Sequence, residues 1–336
     1  MPKPLLAALA LLCLVPAACG GTSDASAGED ASASSGGKLT LVAYSTPREV
    51  YEKLTESFAK TSEGKGVTFE QSYGGSGEQS RAVEQGLPAD VVAFSLAPDI
   101  DRLVEAGLVD ENWADDEYDG MVSDSVVVLA VRKGNRKNIR GWDDLVRDGL
   151  EVITPNPFTS GGARWNVMAA YGAQLEQGKS KEDAAAYLRE LFRNVSVQDK
   201  SARESLQTFL GGKGDVLIAY ENEAILAQRN GEEIDYVIPE ETILIENPVA
   251  VTSDAPEVAR AFVEYIRTPE AQKVFGDAGY RPVNAEALAA VSYAKPANLF
   301  TIADLGGWDA VVEEFFDRES GLMAQINREL GQPTDG

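Results

Sequence analysis

From Lys38 onward, short apolar runs alternate with stretches in which apolar residues recur every three or four positions. The first cycle is the apolar run 38–44, followed by Val50, Leu54 and Phe58 on one face of a predicted helix. Further strand-and-helix cycles begin at residues 67, 89, 125, 150, 194 and 214. Continuous apolar strands separated by helices predict an α/β fold built on parallel sheets.

The composition excludes several classes of function. The chain has 336 residues, more than one core usually holds, so two domains are expected. Its 54 acidic and 30 basic residues give a net charge of -24, which argues against nucleic-acid binding. It has no histidine and two cysteines. Catalysis by Ser-His-Asp or Cys-His groups and histidine-ligated or four-cysteine metal sites are therefore excluded, and no metal or cofactor is expected.

The N-terminus has the features of a targeting signal. Residues 1–18 contain one apolar run, too short to span a bilayer, and are interpreted as a signal peptide. Two alanines then precede Cys19, which resembles the lipidation site of bacterial lipoproteins, and cleavage near Ala18 without lipidation is the alternative. Residues 19–37, the anchor and a segment of small polar residues, are predicted to be a disordered tether. The chain is thus expected outside the cytoplasm, attached to the membrane only through lipidated Cys19.

Four turns share one design, in which a strand ends, a Ser- or Gly-rich turn follows and a helix begins. They are YSTPRE (44–49), GGSGEQ (74–79), TSGGARW (159–165) and DKSARES (199–205). Free N–H groups at helix starts bind anions, and Ser45, Ser76 and Ser160 could add hydroxyl donors. Taken singly, each serine could be only a helix cap and each Gly-Gly only a turn. Four such turns in both halves of the chain predict one anion-binding cleft.

Catalytic motifs do not fit. GGSGE has Glu78 where a nucleophile-elbow motif requires Gly, and the candidate phosphate-binding loop at 172–180 has the wrong spacing and no preceding strand. No nucleophile is placed beside a base. The sequence therefore indicates a binding protein and not an enzyme.

The turn sequences, together with ADVVAFSLAPDID, VRKGNRKNIRGWDDL and GDVLIAYENEAILA, resemble the periplasmic sulfate-binding proteins of ABC importers. The resemblance runs from about Lys38 to about Trp308. It implies a type II periplasmic-binding-protein fold, with two parallel-rich sheets joined by two crossover strands and closing over one dehydrated dianion. The implied lobes are residues 38–124 plus 250–330 for lobe I, and residues 125–249 for lobe II.

The resemblance also implies a set of ligand-binding residues. They are Ser45, Ser76, Ser160, Gly161, Gly162, Ala202 and Tyr220. Ser45 stands where the sulfate proteins commonly have Asp, and Tyr220 stands where they have a donating Trp. Arg164 and Arg203 are expected to act indirectly, by holding the turns and polarising their amides. Direct contact of these two arginines with the ligand is the alternative.

The expected function is capture of sulfate by a monomeric lipoprotein that delivers it to an ABC permease and its ATPase. Because Tyr220 replaces Trp, thiosulfate is the first alternative ligand, and molybdate or phosphate are further ones. Two other classes stay open: a surface enzyme acting on sulfated or phosphorylated compounds, and an adhesion or sensor protein that kept the fold.

Overall fold

The computed structural model describes residues 37–334, so the predicted signal peptide, Cys19 and almost all of the tether lie outside the described residues. The strands are β1 Lys38–Tyr44, β2 Thr68–Gly74, β3 Val91–Ala93, β4 Met121–Arg132, β5 Val152–Ile153, β6 Val195–Val197, β7 Val216–Tyr220, β8 Ile234–Val237, β9 Glu241–Val251, β10 Arg281–Pro282 and β11 Asn298–Phe300. The helices are α1 Arg48–Phe58, α2 Ser76–Glu84, α3 Ala97–Glu105, α4 Gly161–Glu176, α5 Lys181–Arg193, α6 Ala202–Leu210, α7 Glu221–Arg229, α8 Glu257–Ile266, α9 Pro269–Asp277, α10 Ala285–Ala289, α11 Gly307–Val311 and α12 Leu322–Glu329.

The sheet contains two parallel groups. Strand β1 pairs in parallel with β2 and β3, and β5 pairs in parallel with β6 and β7. The order along the sheet is β2-β1-β3-β9-β4-β7-β5-β6. The predicted α/β fold with parallel strands is confirmed. Helices follow β1, β2, β3 and β7 directly, so their first turns lie at the carboxyl ends of parallel strands, where α/β proteins place their sites.

The long strands β4 and β9 connect the two groups. Strand β9 pairs with β3 through 249–251 and with β4 through 244–248. Strand β4 pairs in turn with β7 through 127–131. Each long strand therefore runs from one parallel group into the other.

Two large hydrophobic clusters cover these groups. One joins β1 to α1, α8 and α9, and Leu41, Phe58 and Phe262 are among its buried residues. The other joins α4 and α5 to the end of the chain, where Phe300 and Phe315 are buried together with residues of both helices. The lobe limits stay a prediction, but the segment after β11 packs with the second group.

Local sequence explains where some elements end. The apolar stretch 150–157 predicts a longer strand, but β5 spans only Val152–Ile153. Pro155 and Pro157 have no N–H to donate to a sheet, so the chain leaves the ladder before them. In the part of the chain that the structure describes, no helix is both long enough and apolar enough to cross a bilayer.

Candidate functional site

The four turns meet at one cavity. Its wall includes Ser45, Ser76, Ser160, Gly162, Ala202 and Tyr220, six of the seven residues expected to bind ligand. Tyr44, Thr46, Gly74, Gly75 and Ser95 complete the lining. None of these lining residues carries a charged side chain. The cavity volume is about 10 Å³, close to the space that one water-sized sphere occupies. A cavity of this size has no room for a sugar or a nucleotide.

Gly161, the seventh expected residue, lies beside the cavity as the first residue of α4. A Cβ atom at this position would come within 2.1 Å of Leu96 Cδ2 and 2.7 Å of Ser95 Oγ. Glycine is therefore required here by the close approach of the turn between β3 and α3 to the start of α4.

Helix α7 begins directly after Tyr220 of the cavity wall, and the four turns start four further helices around the cavity. Their first residues are Arg48 in α1, Ser76 in α2, Gly161 in α4 and Ala202 in α6. The first N–H groups of a helix have no partner within it and carry partial positive charge. The site can thus attract an anion without a cationic side chain in its wall.

The capping of these helices differs between the two halves of the chain. The Ser160 hydroxyl oxygen accepts a hydrogen bond from the Ala163 N–H at 3.4 Å, and Ser201 accepts from Glu204 at 3.2 Å. Pro47 and Gly75 precede α1 and α2 and make no side-chain cap. Because Ser160 uses only its oxygen in the cap, its hydroxyl hydrogen can still point to a ligand.

Ser76 is oriented by a buried carboxylate. Its hydroxyl donates to Asp99 Oδ2 at 2.6 Å and accepts from the Ser95 N–H at 3.0 Å. Arg102 donates to the other oxygen of Asp99 at 3.1 Å. The hydroxyl hydrogen of Ser76 is therefore engaged, and what this residue can offer a ligand is its backbone N–H at the start of α2. Asp99 is not one of the residues predicted from the sequence to belong to the site.

Tyr220 closes the cavity on another side. Its hydroxyl lies 2.8 Å from Ser95 Oγ, and burial raises its pKa well above the ordinary value, so it keeps its proton. The Ser95 carbonyl accepts from Trp165 Nε1 at 2.7 Å and from Asn247 Nδ2 at 3.0 Å. Ser95 and Asn247 were missed by sequence reasoning because their partners are distant in the chain.

Arg203, the second residue of α6, connects this helix to the turn after β1. Its Nη2 donates to the Thr46 carbonyl at 2.8 Å and to Glu49 at 2.9 Å. Its Nε also lies 3.5 Å from Glu223 Oε1. Burial raises the pKa of the Glu223 carboxyl to about 7, although the positive charge and hydrogen bond of Arg203 act to lower it. Burial is the largest influence on Glu49 and opposes its charge, but the hydrogen bond from Arg203, the positive charge of Arg203 and the smaller effects of a backbone hydrogen bond and Arg48 together outweigh it and lower the pKa of Glu49.

Arg164 has different surroundings. Its Nε donates to the Pro157 carbonyl at 3.0 Å, and its guanidinium lies 5.0 Å from the ring centre of Phe316. Burial lowers its pKa to about 10. Neither Arg164 nor Arg203 is among the residues that line the cavity, and their indirect role stays a prediction. Within residues 37–334, no group of three acidic or cysteine side chains could hold a metal ion.

Comparisons with known proteins agree on one family. The profile described as "Bacterial extracellular solute-binding protein" matches residues 39–281. A sulfate-binding protein of Synechococcus elongatus is 42% identical over 313 residues, covering 89% of each chain. A thiosulfate-binding protein of Escherichia coli is 35% identical over 297 residues, covering 83% of this chain and 88% of the relative.

A solved structure gives the same result for the fold. The sulfate-binding protein SubI from Mycobacterium tuberculosis H37Rv superposes with a TM-score of 0.81 at 44% sequence identity. The match covers 83% of this chain and 99% of that protein.

Proposed function

The chain belongs to the bacterial extracellular solute-binding proteins, and from that premise we propose that it captures sulfate and delivers it to an ABC importer. The observation that carries the proposal is the convergence of six expected ligand-binding residues on one small cavity with an uncharged wall. No covalent bond is made or broken in this function. The relatives named for sulfate support the choice of ligand.

The chemistry of the wall fits a fully ionised anion. Sulfate at neutral pH carries no proton, so it needs hydrogen-bond donors and is repelled by carboxylates in a low-dielectric site. Backbone N–H groups at helix starts and hydroxyl groups supply such donors without a formal charge. This explains how a protein of net charge -24 can hold a dianion. A micromolar dissociation constant, about 8 kcal/mol, is reasonable for such a site.

Each residue has a defined part in the proposal. Backbone N–H donors would come from Ser45, Ser76, Gly161, Gly162 and Ala202, and hydroxyl donors from Ser160 and Tyr220. Ser76 contributes its N–H because its hydroxyl hydrogen is given to Asp99. Arg164 and Arg203 would stabilise the turns from behind.

The proposal includes closure of two lobes over the ligand. Lobe I would comprise residues 38–124 with residues 250–330, and lobe II residues 125–249. The packing of Phe300 and Phe315 with α4 and α5 suggests that the segment from β11 onward moves with lobe II instead. Contacts such as the Glu78 N–H to the Thr159 carbonyl, at 3.2 Å, would form on closure.

We also propose that the protein is a monomer held at the outer face of the membrane by lipid on Cys19. The apolar N-terminal run and the small residues before Cys19 support this anchor. Mass spectrometry of the mature protein tests it. A mature N-terminus at Cys19 carrying acyl mass is expected, and an unmodified N-terminus elsewhere would contradict the anchor.

Sulfate titration by calorimetry tests the ligand and the site. Ser160→Ala removes one hydroxyl donor to a charged ligand, so we expect at least about thirtyfold weaker binding. Gly161→Val places a side chain against Leu96 and Ser95, so we expect a loss of at least about a hundredfold. Gly141→Ala is the matched control, because a Cβ there meets nothing within 4 Å. Unchanged affinity in both site variants would overturn the site.

Thiosulfate is the second candidate ligand, favoured by the Tyr220 hydroxyl in the wall. A hydroxyl can donate or accept, whereas a Trp ring N–H only donates, so the wall discriminates less strictly between oxyanions. Thiosulfate competition against labelled sulfate decides between the two. Displacement of sulfate at equal or lower concentration of thiosulfate would favour the second candidate.

A further inference from the structure

One residue of the cavity wall, Ser95, has no role in the assignment above. It follows β3 in the turn that leads to α3, is 1% exposed, and lines the cavity together with Tyr220. Resting on the proposed function, we propose that Ser95 contacts the bound oxyanion as the partner of Tyr220. The two hydroxyl groups supply one donor hydrogen between them.

The position of Ser95 is fixed by its backbone. Its N–H donates to Ser76 Oγ at 3.0 Å, and its carbonyl accepts from Trp165 at 2.7 Å and from Asn247 at 3.0 Å. With its backbone N–H and carbonyl engaged, the side chain is held in one place. A Cβ on Gly161 would lie 2.7 Å from Ser95 Oγ, so this oxygen faces the start of α4, where the anion donors gather.

The count of hydrogens defines what the pair can do. Ser95 and Tyr220 have two hydroxyl hydrogens, and one of them lies in the 2.8 Å hydrogen bond between the two oxygens. If Ser95 donates to Tyr220, the Tyr220 hydrogen is free, and if Tyr220 donates, the Ser95 hydrogen is free. In either arrangement one hydrogen remains for the ligand, and either residue can deliver it.

This sharing makes a quantitative prediction for sulfate binding. In Ser95→Ala the Tyr220 hydroxyl still has its hydrogen to donate, and in Tyr220→Phe the Ser95 hydroxyl does. Each single variant should therefore bind sulfate within about threefold of the wild-type affinity. The double variant loses the shared donor to a charged ligand and should bind at least about thirtyfold more weakly, where two independent contacts would give at most about ninefold.

The experiment is a double-mutant cycle measured by calorimetric sulfate titration on the mature protein. Thermal melting without sulfate checks that each variant is folded at the assay temperature. If the double variant is not folded, Ser95→Cys combined with Tyr220→Phe replaces it, because a thiol is a weak donor, and its loss of sulfate affinity should exceed the product of the losses of its own two single variants.

Three results would count against the inference. Losses in the double variant that equal the product of the single losses would show independent contacts and overturn the shared donor. If Tyr220→Phe alone loses as much sulfate affinity as the double variant, Ser95 does not contact the ligand. If the wild-type protein does not bind sulfate, the proposed function fails and the inference with it. The first two results overturn the inference alone.

Discussion

Arg203 and Arg164 lie in the first turns of α6 and α4, two helices that begin at the same cavity, but their charges are treated differently. Arg203 is paired with Glu49 and Glu223 and also binds the Thr46 carbonyl. Arg164 is 8% exposed, and among residues 37–334 no carboxylate lies within ion-pair distance of it. Burial opposes the charge on both, but the pKa of Arg203 is raised by its acids while that of Arg164 falls to about 10.

The two arginines therefore have different structural roles around the uncharged cavity. Arg203 joins elements of the two halves of the chain, from the turn after β1 to α6 and α7, so its pairs hold the cavity wall together. Arg164 bonds within its own turn and stacks near Phe316. We therefore expect Arg203 to contribute more to stability than Arg164.

The largest effect is expected from Arg203→Met. This change removes the bonds to Glu49 and Thr46 and leaves the Glu223 carboxyl, 1% exposed, without its cation. Breaking a buried pair from one side typically costs about 3–5 kcal/mol of unfolding free energy. Urea denaturation at pH 8 measures this loss.

The matched control for this change is Arg193→Met, which breaks an exposed pair with Glu190 at 3.0 Å. Exposed pairs contribute less than about 1 kcal/mol, so this variant should stay near wild type. If the two variants lose the same unfolding free energy, Arg203 contributes no more to stability than an exposed ion pair does.

A pH series on Glu223→Gln sharpens the contrast. The folded-state pKa of Glu223 is about 7, above its ordinary value of 4.5, so the folded state binds more protons than the unfolded state between these values. Wild-type stability from this group therefore falls as pH rises through that window. When the pH is raised from 5 to 8, the unfolding free energy of Glu223→Gln should increase by about 2–3 kcal/mol relative to that of wild type, because the variant has no carboxyl to ionise at this position.

Denaturation of both proteins at the two pH values provides the test, with Glu190→Gln as a surface control. If the difference between wild type and Glu223→Gln is the same at pH 5 and pH 8, the raised pKa of Glu223 is contradicted.

The smallest effect is expected from Arg164→Met. The variant loses one hydrogen bond to the Pro157 carbonyl and the contact with Phe316, but it also removes the desolvation cost of a buried charge. We expect a change in unfolding free energy below about 1.5 kcal/mol by urea denaturation. A loss as large as that of Arg203→Met would show that the two arginines are equivalent.

Part of the candidate site follows from local sequence. The turns at 44–49, 74–79, 159–165 and 199–205 each lead into a helix, as predicted, because Ser, Gly and Pro at these places favour helix starts. The apolar strands before them place these helix starts at carboxyl ends of a parallel sheet. The shared cleft could therefore be predicted from the local sequence of the four turns, without any contact between distant residues.

Other features were beyond sequence reasoning because they depend on residues far apart in the chain. Ser95 meets Tyr220 across 125 positions and Asn247 across 152. Both Ser95 and Asp99 lie in the string ADVVAFSLAPDID, which carries part of the family resemblance, but its local pattern does not say which distant side chains they meet. The local sequence of the C-terminal segment likewise does not show that Phe300 and Phe315 pack in the same core as α4 and α5.

The sequence by itself determined the strand and helix order, the helix starts that offer N–H groups, and the absence of histidine chemistry. These features depend on backbone propensity and residue type, which act locally. Only the tertiary structure decided which hydroxyl hydrogens are free, since Asp99 takes that of Ser76 and Ser95 pairs with Tyr220. A hydrogen bond depends on distance and direction between side chains, and those are set only when the chain is folded.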